Sequence, residues 1–284
     1  MSAVDTADIA SAARTRKRYA PGLVLSAAVL VLILTAAIAP GLFTRQDPLA
    51  ADPIHRLEPP SRAHLFGTDE LGRDLYCRVL HGAALSLSTA GIALAIGLLC
   101  GTLLGLIAGT ARGRVDDLLM RATDVLLAIP SLLVSLAVVT ALGFGATKTA
   151  VAVGVTGIAS FARITRAEVL RVSVAPYVEA AHVVGVRRPT VLMRHVLPNA
   201  WAPVLGFAAV SFGASLLAVS TLGFLGYGTP PPTPEWGSLV ASGRSYFAEA
   251  WWLSTLPGLT IVATVLAANR IARALHGEDG RLPR

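Results

Sequence analysis

Two cysteines and six histidines are the raw material from which this chain could build a metal site or a nucleophile. Cys77 precedes a long apolar run and Cys100 lies within it. That placement gives neither a disulfide framework nor a zinc-type spacing, so both are read as free thiols. The histidines fall in loops and at the ends of apolar stretches, and no His-Glu-x-x-His pair occurs. A Gly-x-Ser-x-Gly elbow and a Gly-x-x-x-x-Gly-Lys-Ser/Thr phosphate loop are also missing. Catalysis, a metal centre and nucleotide binding by the phosphate-loop route are therefore not expected, nor is any cofactor on this chain.

The most patterned polar stretch runs from Pro176 to Asn199. Pro176 suits the first turn of a helix. Glu179 then sits near its N-terminus, where the helix dipole favours negative charge. Ala180 and Ala181 present almost no side chain, so another protein surface can come close. Gly185 suits the end of this short helix. Pro189 opens a second helix and Pro198 is expected to limit it. A second charged feature, Arg121 with Asp124, lies inside an apolar stretch; the i,i+3 spacing is read as a local ion pair, with a substrate or proton relay as the sharper alternative.

The elements that position these residues follow from composition. The chain is 54% hydrophobic and only 14% charged, against about 25% charged in soluble domains. A membrane-crossing helix needs ~20 mostly apolar residues. Six apolar stretches meet or approach this: 23–39, 83–108, 118–142, 149–162, 204–225 and 251–268. The expected fold is thus an all-α membrane protein with six transmembrane helices. Pro130 should kink the third. A cleaved leader at the N-terminus is disfavoured, because the first apolar run exceeds the usual ~7–15 residues and more spans follow.

Charge sets the expected orientation. With net charge +7, nucleic acid would be a candidate partner for a soluble chain. Here aromatics are few and no basic stripe interleaves with them, so no nucleic acid is expected. Alternating the six spans puts seventeen basic residues on one side (1–20, 109–121, 163–200 and 270–284) and seven on the other. The positive-inside rule then places both termini in the cytoplasm. The organisation expected is a cytoplasmic segment 1–20, a first transmembrane helix 21–43, an outer loop 44–82, a five-helix core 83–275 with an inner loop 168–200, and a cytoplasmic tail 276–284. A second outer segment, 227–250, holds the proline run after Gly228 and is expected to be a stiff extended loop. Gly97, Gly101, Gly105 and Gly109, spaced by four, share one helix face that another helix can approach closely.

The pattern Glu179-Ala180-Ala181, Gly185, then His195-Val-Leu197-Pro198 resembles the cytoplasmic signature of importer-type ABC transporter permeases. Two further segments narrow the resemblance. Gly67-Thr68-Asp69 with Gly72-Arg73-Asp74 is similar to the first outer loop of C-type dipeptide, oligopeptide and nickel permeases, and Pro234-Glu-Trp236-Gly237 to their last. The resemblance covers residues from about 20 to 270. It implies an importer-type permease fold whose cytoplasmic loop is a coupling helix docking on an ATPase subunit. It also implies a homologous B-type permease as heterodimer partner, two ATP-binding subunits that hold ATP and Mg, and an extracytoplasmic solute-binding protein. The location implied is the bacterial plasma membrane, in contact with lipid, and the cargo a short peptide. Alternatives left open are an ion-driven secondary transporter, and the same permease role with nickel or another non-peptide solute. An intramembrane hydrolase fails for want of a catalytic constellation.

Overall fold

The computed structural model describes residues 5–111 and 113–275, with side chains from residue 21 onward except His182. The tail expected at 276–284 lies outside the described residues, as do positions 1–4. Among the described residues the chain is almost wholly helical. Each apolar stretch falls in a helix: α1 (Asp5–Ile38), α2 (Leu75–Ala111), the pair α3 (Gly113–Ala128) and α4 (Ser131–Leu142), α5 (Ala146–Ser173), α8 (Leu197–Phe224) and α10 (Trp252–Leu275). Between α5 and α8 come α6 (Pro176–Val183) and α7 (Arg188–Val191); α9 (Trp236–Ser242) precedes α10.

The expected six spans do not all qualify alike. Four helical segments are long and apolar enough to cross a membrane: Pro21–Ile38, Leu75–Ala111, Arg188–Phe224 and Trp252–Leu275. Counted as one broken span, the bent pair α3–α4 makes a fifth; counted as a re-entrant loop, it does not. Helix α5 is 28 residues long but carries Lys148, Arg163, Arg166, Glu168 and Arg171, and does not qualify on composition. Its apolar side is spent on α2, its most extensive contact.

Several boundaries differ from expectation. The first helix ends at Ile38, and Pro40–Leu42 forms a separate 3-10 turn. Helix α2 starts at Leu75, not near 83, because Asp74 Oδ1 accepts the Cys77 backbone N–H at 2.7 Å and caps the helix. The expected outer loop 44–82 therefore stops at 74. Pro130 does more than kink the third stretch. Pro130 has no N–H to continue the helix, and the axes of α3 and α4 meet at 95°. Pro198 does not limit the second helix of the 176–199 stretch. The chain runs from α7 through a π-helical turn, Leu192–Val196, straight into α8. In that turn Leu197 N–H donates to Leu192 O, five residues back, and Asn199 Nδ2 donates to His195 O at 2.7 Å. The wider register absorbs the proline in the first turn of α8, where a missing N–H costs least.

Helices α2 and α5 form the central pair. The glycine face acts as expected: Gly97, Gly101, Gly105 and Gly109 are all buried. Gly97 lies against Gly154 and Gly157, and Gly105 against Ala162 and Thr165. Without side chains on one partner the backbones approach closely, which substitutes for the hydrophobic drive that lipid cannot supply. Helices α8 and α10 pack beside α2, and α1 leans on α10 and α2. The second expected outer loop is only partly extended. After the prolines, Glu235 caps α9, accepting the N–H groups of Gly237 and Ser238, and a 3-10 turn follows at Gly243–Tyr246.

Candidate functional site

The bundle has two structured ends. At one, α5 ends and the chain turns through Ala175 into α6. Val178 is buried against Val169, Val172, Val191 and Val196, so α6 and the π turn both rest on the last turns of α5. Glu179 and Ala180 face outward. Gly185 has φ +83°, a left-handed conformation that glycine alone adopts without strain. Val183 and Val184 flank that turn, each 82% exposed. Beside them a groove of about 800 Å3 opens between the end of α2, α6 and α7, lined by Ala111, Val174, Glu179 and Pro189 among others. The expected docking residues thus separate into two groups. Glu179, Ala180 and Gly185 are presented, and Ala181 is half-buried. His195 and Leu197 are also half-buried in the passage from the π turn into α8, with Pro198 exposed beside them.

At the opposite end the motif 67–74 is a self-satisfied knot. Thr68 Oγ1 donates to His55 O and accepts from Glu58 N–H. Asp69 Oδ1 accepts the N–H groups of Leu71 and Arg73, and its Oδ2 accepts from Arg73 Nε at 2.6 Å. Asp74 also holds His64 Nδ1 at 2.9 Å. Gly67 and Gly72 are buried beneath this network. Arg78, which sequence reading passed over, reaches from α2 to Pro48 O and Pro232 O and ties both connecting segments together. Pro234, Trp236 and Gly237 are buried as well. Trp236 Nε1 donates to Val79 O at 2.8 Å, and its backbone N–H donates to Ser86 Oγ at 3.0 Å. These motif residues are therefore internal rivets, not displayed contacts.

Glu235 is a second buried group that spacing did not signal. It is 3% exposed and sits against Gly223 and Gly228, whose missing side chains leave room for the carboxylate. Burial pushes its pKa above the ordinary 4.5, opposed in part by the two backbone N–H groups it accepts. A raised folded-state value means the charged form is the disfavoured one. Stability is therefore greatest below the unfolded pKa and is lost as pH rises through the raised folded value. Glu235→Gln should flatten that dependence: a detergent melting series from pH 4.5 to 8 should show the wild type losing Tm with rising pH more than the variant. Parallel curves would refute the assignment.

A third feature joins α3 and α5. Asp124 does not pair with Arg121, contrary to expectation. It pairs with Arg163, whose Nη2 donates to Asp124 Oδ1 at 2.5 Å. The local spacing lost because α3 lies across α5, which brings a longer-range cation nearer. A deeper pair joins the same helices: Arg166 engages both oxygens of Asp116, at 2.5 and 2.6 Å. Among the described residues no group of three or more His, Cys, Asp or Glu is arranged to hold a metal.

The bundle thus has a sharp break between α3 and α4, a short helix presented at one end and a riveted pair of connecting segments at the other. The solved structures agree on the fold. An inward-facing methionine ABC transporter matches with TM-score 0.60 over 71% of this chain and 97% of that chain, at 15% identity. Residues 101–277 match the family described as binding-protein-dependent transport system inner membrane component, and the chain belongs to that family. It is 41% identical to a di/tripeptide transport system permease protein of Pseudomonas aeruginosa, over 87% of this chain and 84% of the relative. It is 39% identical to a probable D,D-dipeptide transport system permease protein of Escherichia coli, over 88% and 84%. A glutathione transport system permease protein of Pectobacterium atrosepticum is 38% identical over 77% and 73%. The chain is a transport subunit of an ABC importer and not itself an enzyme, which removes the ion-driven alternative.

Proposed function

We propose that this chain pairs with a homologous B-type permease to form the path by which a bacterial plasma-membrane importer admits short peptides. The observation that carries the cargo is its likeness, over nearly its whole length, to permeases whose names specify di- and tripeptides. In this reading both termini are cytoplasmic, so α6 faces the cytoplasm and the 44–74 and 227–251 segments face a solute-binding protein. Two ATP-binding subunits hold ATP and Mg. Their closure pushes on α6, with Glu179, Ala180 and Ala181 in the docking surface and Gly185 setting the angle of the turn. His195, Leu197 and Pro198 carry the push into α8, a hinge or shear motion. Gly67 to Asp74 and Pro234 to Gly237 keep the outer segments rigid as the binding protein docks.

Two variants test this assignment in the assembled transporter. Glu179→Lys reverses a presented charge, and Gly185→Val forces a β-branched residue into left-handed φ. Each should leave membrane insertion intact and ATP hydrolysis present. Peptide uptake should fall at least ~10-fold, the size of one lost charge-assisted contact. Normal uptake by both variants would sink the coupling role; a wild-type assembly that ignores di- and tripeptides would sink the cargo.

A further inference from the structure

Three residues of α5 fall on one helical face: Thr156, Ser160 and Arg163, at spacings of four and three. At 1.5 Å per residue they lie roughly 15, 21 and 26 Å from the Ala146 end of α5, so in the topology proposed above Thr156 and Ser160 fall within the fourth apolar stretch and Arg163 at its cytoplasmic end. Thr156 and Ser160 line a pocket of about 500 Å3 whose other wall is the break between α3 and α4, from Leu126 through Pro130 to Ser131 and Val134. One turn beyond Ser160 comes the Arg163–Asp124 pair. Unlike Arg166–Asp116, it is open: the two side chains are 56% and 60% exposed, against 32% and 11%.

Physical chemistry narrows what such a face can be. Interrupted backbone at membrane depth is tolerated only where it is covered by protein or lines a water-filled cavity. Charged side chains within or at the end of a spanning stretch face a bundle interior or an aqueous path. An exposed ion pair is worth little to stability, ~0–1 kcal/mol, so a clamp between α3 and α5 is already supplied by the half-buried pair and does not need this one. What an open Arg–Asp pair beside hydroxyls does offer is one fixed positive and one fixed negative charge to a solute that carries both.

We propose that Asp124 and Arg163, with the Thr156–Ser160 pocket at the α3–α4 break, form a station for zwitterionic peptides in the translocation path. The inference rests on the peptide-importer reading above. Asp124 takes the peptide ammonium and Arg163 its carboxylate, so the internal pair is exchanged for two intermolecular ones. Arg163 has the reach for this because its side chain is long and more than half exposed. The hydroxyls and the pocket hold the uncharged middle of the peptide. Pairing the two groups with each other between cargoes keeps either charge from standing alone beside the path.

The test uses the complete transporter in lipid nanodiscs or proteoliposomes, with its binding protein and L-alanyl-L-alanine as probe. Asp124→Asn and Arg163→Gln should each cut dialanine uptake ~10-fold or more, the range for a lost charged hydrogen bond. Asp124→Glu and Arg163→Lys, which keep the charges, should retain most of it. Melting temperature and recovery of the partner permease should stay near wild type in all four. The double variant Asp124→Asn with Arg163→Gln leaves no unpaired charge, guards against misfolding in the single variants, and should lose uptake equally. Unchanged uptake in the neutral variants overturns the proposal. So does loss of uptake in step with lost partner permease, which would make the pair a subunit contact. Wild-type failure to import dialanine overturns the peptide reading itself, and the station with it.

Discussion

Leucine at Gly101 should prevent the chain from reaching its folded form. A Cβ there would stand 2.5 Å from Ile158 O and 2.5 Å from Phe161 Cβ on α5. Neither obstacle can swing aside, since one is backbone and the other is the root of a side chain. Accommodating even alanine requires α2 and α5 to shift, at the ~1–3 kcal/mol typical of overpacking. Leucine adds three more carbons and forces the central helices apart along the whole glycine face. Size-exclusion chromatography in detergent should show aggregate in place of a monodisperse peak. Gly91→Ala is the matched control, because nothing lies within 4 Å of its added carbon, and it should fold normally. A well-behaved Gly101→Leu protein with wild-type Tm would disprove the close-approach account.

Trp236→Ala is expected to cost about 3–5 kcal/mol, the range for truncating a buried aromatic. The side chain is wholly inaccessible, packed in the cluster with Leu75, Val79 and Trp252. Its removal also takes away the indole N–H that Val79 O accepts in addition to its bond within α2. The loss falls where α2, α9 and α10 meet, so the two connecting segments should loosen together. Chemical denaturation in mixed micelles should show a midpoint shift of that order, with limited proteolysis cutting first within 44–74 or 227–251. A shift below ~1 kcal/mol would mean the pocket refills, against the tight packing described.

Much of the architecture was legible in the sequence because lipid imposes one-dimensional rules. Apolar runs of sufficient length announce helices, and the four-residue glycine spacing announced a close-packing face on α2, though not that α5 would fill it. The short helix α6 was legible for local reasons as well: Pro176, Glu179 and Gly185 each act within one helical turn of themselves. Legibility failed where the deciding partner lay far along the chain. Asp124 and Arg163 are separated by 39 residues, so local spacing favoured Arg121. The polar spacing of Thr156, Ser160 and Arg163 was present to be read, but a third helix merely kinked at Pro130 left it no pocket to line. The motif residues Thr68, Asp69 and Trp236 were recognisable as a pattern, yet nothing local said they were buried rivets. Start and stop signals misled at prolines in particular. Pro198 terminates a helix in an α register, and only the π turn upstream lets it pass.

That π turn has a mechanical consequence. Because it spares the chain a break, Arg188 to Phe224 is one continuous rod of 37 residues, roughly 55 Å at 1.5 Å per residue. Its far end abuts Glu235 through Gly223, while its near end shares an apolar cluster with α6. Under the proposed push on α6, a rod pinned at one tip and nudged at the other would behave as a crowbar, turning a few ångströms of travel at α6 into a few degrees of tilt along its whole length.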